Sequence, residues 1–337
     1  METPLARLFA MLCLALCING CGGPEGADAP LPPAPAPLAT AAAAATASTP
    51  PLAAPAQATG AQRGQGAPYE IAGSQVWNVP DPVSGRDYQV FVALPRGYGD
   101  DPQRRYPVLY ATDADYAFPL LRQISRRLNV EGPAIEDFIL VGLSYAVGED
   151  GMTSRRRDYT PTAKGPSTAP ADAIHGQSSA YIAYLRDHVL PFMAGRFRTD
   201  ESRRLFLGHS YGGLLGTELL LTEPGLFSGY ILGSPSYWYD RRHMEQVEAA
   251  TAAGRSDLAA RVYMYVGQYE AIRAGDPRYA SKVDLVADAR RMEQRLLGRH
   301  DSSLQLRLEV LEDEDHLSVA PRGFTHGLKA LLPAPAG

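Results

Sequence analysis

The chain has 337 residues, 45% of them hydrophobic, and carries a formal net charge of -5. That length accommodates one large α/β domain or two small ones, with a sizeable core. The mild acidity leaves no basic footprint, so nucleic acid is excluded as an expected partner.

The first twenty residues differ from the rest. Arg7 supplies a basic start, and Leu8 to Ile18, "LFAMLCLALCI", forms an apolar run too short to span a bilayer comfortably. Gly20-Cys21 follows in an arrangement that resembles a bacterial lipobox, where the leader is cut before a cysteine that then takes lipid. Residues 1–20 are expected to be a lipoprotein signal peptide and Cys21 the lipidation site, with an ordinary secretory leader as the alternative. An acylated Cys21 makes the membrane a partner through an anchor rather than a span. Gly22, standing where an aspartate would retain the protein, favours an outer-membrane location facing the periplasm. All three cysteines (Cys13, Cys17, Cys21) lie in this segment, which leaves no disulfide, thiol catalysis or zinc-thiolate site for the rest. Residues 21–68 are rich in Pro, Ala and Thr and cannot build a core, so they are expected to form a semi-extended tether.

Residues 69–337 read as one domain of alternating strands and helices. "SQVWNV" and "DYQVFVAL" are predicted strands about a turn at "DPVSG". "YPVLYAT" and "DFILVGLSY" are near-continuous apolar runs, the pattern of strands buried on both faces. Between them "YAFPLLRQISRRL" has helical spacing, with Pro119 tolerable only near its first turn. A long polar loop leads to one helix, "SSAYIAYLRDHVLPFMAGRF", then to strand "RLFLG", helix "GGLLGTELLL" and strand "SGYILGS". Helix "RRHMEQVEAATAAG", strand "ARVYMYVG", helix "KVDLVADARRMEQRLLG", strand "LQLRLEVL" and helix "RGFTHGLKALL" complete the order. The alternation predicts an α/β fold with a mostly parallel sheet wrapped on both faces, whose chemistry gathers at the carboxyl ends of the strands.

Ser210 sits in "GHSYG", after a predicted strand and before a predicted helix, which is the context that gives G-x-S-x-G its meaning as a nucleophile. Of seven histidines, only His316 combines a position after the last strand with the chain order serine, acid, base. His209 is the variable residue of the elbow, either a substrate contact or a packing residue beside the serine. The acid is expected at Glu270, just past strand "ARVYMYVG", where a carboxylate would hold the imidazole tautomer. Asp284 is the rival, and its alternative role is that of a helix N-terminal carboxylate. The oxyanion donors are expected to be the backbone N–H of Tyr211 and that of Ala114 or Asp115.

Beyond the elbow, the segments "YPVLYATDADYAF", "FILVGLSY", "SRRRDYTPT", "LFLGHSYGGLLG", "LGSPSYWYD", "VYMYVGQYE" and "DEDHLSV" resemble the esterase family of α/β-hydrolases. Within it, they resemble particularly the periplasmic siderophore esterases that open enterobactin- or salmochelin-type trilactones. The resemblance runs from about Gln75 to Leu332 and implies Ser210 as nucleophile, His316 as base and Glu270 at the acid position. It implies a small-molecule ester as substrate, and nothing in the motifs asks for a metal or cofactor. Two departures stand out: the family pattern has Asp-Gly where this chain has Asp113-Ala114, whose methyl is expected to reshape the site slightly. The acid is also not used by every member, some being serine–histidine dyads.

Arg155, Arg156, Arg157 and Tyr159 are candidate contacts for an anionic or catecholate substrate, because arginine presents a fixed donor fork. The alternative is one buried arginine paired with Asp158 beside two solvated neighbours. Tyr237 and Trp238 are a candidate stacking wall, or else core aromatics. The leading expectation is a serine carboxylic-ester hydrolase working through an acyl-enzyme. An acyltransferase of the same fold and a non-catalytic, envelope-binding lipoprotein are the other classes.

Overall fold

The computed structural model describes residues 64–254 and 257–334. The expected leader, Cys21 and most of the tether lie outside the described residues. Eight strands, β1 Ser74–Asn78, β2 Gln89–Ala93, β3 Tyr106–Ala111, β4 Ile139–Leu143, β5 Thr199–His209, β6 Gly229–Gly233, β7 Ala260–Gly267 and β8 Leu304–Leu311, build one sheet. Their order is β1-β2-β4-β3-β5-β6-β7-β8. β2 is antiparallel to both β1 and β4, and every other pairing is parallel.

Among the described residues, eight α-helices accompany them: α1 Ala114–Leu128, α2 Gly151–Asp158, α3 Ser178–Tyr184, α4 Leu190–Arg196, α5 Tyr211–Thr222, α6 Tyr239–Ala252, α7 Leu285–Gly298 and α8 Ala320–Leu331. Alternation along the strands divides the core into two layers. Val108 and Tyr110 of β3, Phe206 of β5, Tyr230 and Leu232 of β6 and Met264 of β7 pack under α3 to α7. Leu109, Ala111, Leu205, Leu207, Ile231 and Tyr265 point the other way, under α1 and α8. Every residue of β3, β4 and β6 is buried, as the uninterrupted apolar runs predict.

The structure departs locally from the sequence reading at four places. The expected single helix over 178–197 is α3 and α4 joined by a π-helical turn, Leu185–Val189. Pro191 lacks an N–H and crowds the carbonyl four residues back, and a wider turn relieves that clash. The polar loop after β4 contains α2, whose N-cap Asp150 accepts from the N–H groups of Met152 and Thr153. Helix α1 starts at Ala114, so Pro119 falls in its second turn rather than its first. In α6 the residues Asp240, Arg241 and Arg242 have left-handed φ of 40°, 56° and 64°, so right-handed helix begins at His243.

Candidate active site

The carboxyl ends of β3, β5, β6, β7 and β8 converge on Ser210. It caps α5 with φ 60° and ψ -116°, a conformation that non-glycine residues adopt only under constraint from their surroundings. The constraint is visible in the backbone. The Ser210 N–H donates to the Gly233 carbonyl at 2.8 Å, and its carbonyl accepts from Leu214 and Ser236 at 3.0 and 3.2 Å. A Cβ on Gly208 would collide with the Gly212 backbone, and one on Gly212 would collide with Thr112 Oγ1. Only glycines let β5 fold back onto α5 while the loop after β3 closes over the turn.

Three side chains line up at this point. His316 Nε2 lies 3.1 Å from Ser210 Oγ. Its Nδ1 lies 2.6 Å from Glu270 Oε2. The other carboxylate oxygen of Glu270 accepts from Ser234 Oγ at 2.6 Å and from the Gly267 N–H at 2.8 Å. Glu270 is 2% exposed, so its charge is held by donors rather than by water. The short helical turn 268–270 after β7 sets it there, while His316 rides the loop between β8 and α8. Asp284 is not part of this line: it caps α7, accepting from the Ala287 N–H at 2.8 Å.

The acidic run before His316 is a solvated loop, with Glu312, Asp313 and Asp315 exposed, and it is also braced. Tyr269 N–H donates to Glu314 O, Asp313 N–H to Gln268 Oε1, and the N–H groups of Leu317 and Ser318 to Asp315 Oδ1. His209 supplies the last brace. Its Nε2 is 3.0 Å from the His316 carbonyl and its Nδ1 is 3.4 Å from the Tyr265 hydroxyl. Burial, then the neighbouring charges of His316 and Arg155, push its pKa down to about 3. His209 is therefore neutral, with Nε2–H donating to the carbonyl and Nδ1 free to accept. As a substrate contact it is corrected: it packs behind the His316 loop.

Two helix N-termini meet at the elbow. Tyr211 begins α5 and Ala114 begins α1, so neither N–H has an intrahelical acceptor, and the N–H of Asp115 follows in the same first turn. Asp113, at φ 57°, turns the chain from β3 into α1. The methyl of Ala114 is buried against Gly142 of β4, where an added Cβ would stand 2.9 Å away. It points into the core, which corrects the expectation that it reshapes the site.

Asp113 is itself clamped. Its Oδ1 pairs with Arg155 Nε at 2.8 Å and accepts from the Tyr145 hydroxyl at 2.8 Å. The same guanidinium donates from Nη2 to the His209 carbonyl at 3.3 Å and lies 5.7 Å from the centre of the Tyr211 ring. Burial by itself would lower the Arg155 pKa, but the carboxylate of Asp113 outweighs it, so the cation persists. Arg155 thus ties the turn after β3 to the elbow and is not free for substrate. Arg157 is not free either: it forks onto Asp158 with two 2.8 Å bonds and reaches Glu149 at 2.6 Å. Tyr159 is buried against Tyr181, with ring centres 5.6 Å apart. Tyr237 is core, its hydroxyl 2.9 Å from Thr217 Oγ1.

Two of the expected contacts stay available. Arg156 is half-buried, makes no ion pair among the described residues, and its charge bears on Tyr211 and His175. Trp238 is half-buried, with its ring 6.2 Å from that of Tyr211. The sequence reading missed Tyr145, Ser234 and Ser236. Ser234 and Ser236 were signalled only by their position in "GSPS" at the end of β6, since serine there looks like an ordinary turn residue.

The chain is similar to ferri-bacillibactin esterase BesA of Bacillus subtilis, 24% identical over 78% of this chain and 91% of the relative. It is likewise similar to the siderophore triacetylfusarinine C esterase of Aspergillus fumigatus, 27% identical over 72% and 88%. Among solved structures, siderophore hydrolase EstB from Aspergillus nidulans has the same fold. It superposes with a TM-score of 0.66 at 22% identity, covering 80% of this chain and 99% of that one. The α/β-hydrolase architecture follows from these likenesses and from the mostly parallel eight-stranded sheet. The Esterase family model matches residues 82–305, a span that takes in the turn after β3, the elbow and Glu270 and stops before His316. With well over half of its length inside that match, the chain belongs to the Esterase family, and it is an esterase.

Proposed function

We propose that the chain is a serine esterase that cleaves siderophore esters through an acyl-enzyme, with Ser210 as nucleophile, His316 as base and Glu270 as the acid. The observation that carries this reading is the continuous run of contacts from Glu270 through His316 to Ser210, at 2.6 and 3.1 Å. In the reaction Ser210 Oγ gives its proton to His316 Nε2 as it attacks the ester carbonyl. The N–H groups of Tyr211 and of Ala114 or Asp115 stabilise the oxyanion. The imidazolium then returns that proton to the departing alcohol, and a water activated by the same histidine releases the acid and restores Ser210. Glu270 fixes Nδ1–H towards itself and leaves Nε2 as the basic nitrogen.

The substrate class is supported by what the relatives are called and by Arg156 and Trp238. One offers a free guanidinium to an anionic or catecholate ligand, and the other offers an indole face. The apolar run before Cys21 supports a lipid-anchored protein of the cell envelope, facing the periplasm from the outer membrane. The test is labelling of the purified full chain with a serine-reactive fluorophosphonate, alongside hydrolysis of a trilactone siderophore. Wild type is expected to label and to open the trilactone, and S210A to do neither. An unlabelled wild type would overturn the mechanism, and labelling without trilactone cleavage would overturn the substrate class.

A further inference from the structure

At the end of the sheet opposite Ser210, where β2 ends at Ala93 and β4 begins, a groove of about 790 Å³ opens. Its walls are the loop after β2, the outer face of α1 and the residues that lead into β1. Arg96, Arg122 and Arg126 line it together with Gly73 and the carboxylates Asp100, Glu136 and Asp137. None of the three arginines makes an ion pair among the described residues. Two of these carboxylates have other partners: Glu136 receives two bonds from Arg203, at 2.8 and 2.9 Å, and Asp137 faces Arg104 at 3.9 Å.

Arg122 is the telling member. Its Nε is buried without a hydrogen-bond partner. Its Nη2 lies against the backbone of Gly73, where an added Cβ would stand 3.3 Å away. Burial, and then the like charges of Arg126 and Arg96, push its pKa down to about 10. Arg126 and Arg127 stand in the last turn of α1 and complement its dipole, but Arg122 lies a turn further back, beyond that effect. Among the described residues no ion pair offsets the cost of holding this guanidinium partly desolvated beside two others.

We propose that this groove is a binding site for a phosphate-bearing anion, held by the guanidinium groups of Arg96, Arg122 and Arg126. Two of the forks come from α1 and one from the loop after β2, so they approach from different directions. A tetrahedral dianion offers acceptors along several directions and charge for more than one cation, which a planar monoanionic carboxylate does not. The phosphate belongs either to a small molecule or to a lipid headgroup.

The experiment uses the full chain with two probes at low ionic strength. Inorganic phosphate binding is followed by calorimetry. Co-sedimentation compares vesicles of phosphatidylcholine alone with vesicles of phosphatidylcholine and phosphatidylglycerol. R122Q and R126Q should each weaken binding about tenfold, the worth of one charge-assisted contact. R127Q, which removes the same charge from the same turn but does not line the groove, should leave binding unchanged. Arg126 is exposed, so R126Q keeps the test informative if R122Q folds poorly. Saturable phosphate binding points to a small-molecule source, and a response to anionic vesicles alone points to lipid. Binding by neither probe, or equal binding by wild type and R126Q, overturns the proposal. Ester hydrolysis by R126Q should match wild type, so the outcome here is independent of the reading given to Ser210.

Discussion

Replacing Glu270 by Gln is the sharpest test of how the base is held. The side chains are nearly isosteric, so the perturbation is to charge and to the direction of one hydrogen bond. In the wild type all of the carboxylate contacts are acceptor contacts: His316 Nδ1 at 2.6 Å, Ser234 Oγ at 2.6 Å and Gly267 N–H at 2.8 Å. An amide has to place its NH2 somewhere. It cannot face the Gly267 N–H, which is fixed in the backbone and can only donate, whereas the Ser234 hydroxyl can turn. The amide oxygen therefore takes the Gly267 side and the NH2 faces His316. That forces Nδ1 to accept and puts the ring proton on Nε2, towards Ser210, where a base is needed. A histidine in the wrong tautomer, with no carboxylate to stabilise its cation, costs about 10³- to 10⁴-fold in kcat, or about 4–5 kcal/mol of barrier. The assay is steady-state hydrolysis of p-nitrophenyl acetate, with fluorophosphonate labelling rates and a thermal melt on the same samples. A folded E270Q within about tenfold of wild-type kcat would refute the reasoning and leave a serine–histidine dyad as the working unit.

Two further outcomes follow from contacts at the same site. Arg155→Met removes the clamp between Asp113 and the His209 carbonyl; kcat for a small neutral ester should fall about ten- to hundredfold with KM little changed. Arg155→Lys should recover part of the loss, and a folded Met variant with wild-type kcat would show that the turn after β3 holds itself. His209 has a folded pKa of about 3 against an ordinary value of 6.5, so the unfolded chain takes up a proton that the folded chain refuses. This contribution to stability is complete above about pH 6.5, erodes as the pH falls, and is gone by about pH 3. His209→Gln keeps an N–H for the His316 carbonyl without a titrating ring, and its unfolding free energy by urea should fall less steeply across that window. Parallel curves for the two proteins would reject the assignment.

The order of strands and helices, and the sequence Ser210, Glu270, His316, were legible because each depends on local pattern and chain order. Period-two alternation, a glycine-bracketed serine and a histidine after the last strand survive without knowledge of distant contacts. The three adjacent arginines show where that stops. Once Gly151–Asp158 is a helix, neighbours along the chain point about 100° apart. Arg155 then reaches the elbow, Arg157 enters a buried ion cluster, and Arg156 is left near Tyr211. Asp150 as an N-cap was the available signal for that helix, but Gly, Thr and Ser in its first turn and no apolar stripe concealed it. The clamp on Asp113 was illegible for a different reason: its partners come from the loop after β4, from α2 and from β5, and only the folded sheet brings them together. Tyr159 and Tyr237 look the same in sequence whether they line a cleft or fill a core.

The register of the first hairpin has a practical consequence. Ser74 pairs with Ala93, and Ala93 pairs with Leu140 near the start of β4, so the chain enters the sheet at the end away from Ser210. A resin, biosensor surface or fluorophore coupled just ahead of Ser74 is thus attached at the end of the sheet away from Ser210. Protein immobilised that way presents the Ser210 end of its sheet to the flowing solution, and turnover measured on the surface should match turnover in solution. The same attachment crowds Gly73 and its neighbours, so one immobilised sample can read hydrolysis freely while access to the arginine groove is restricted.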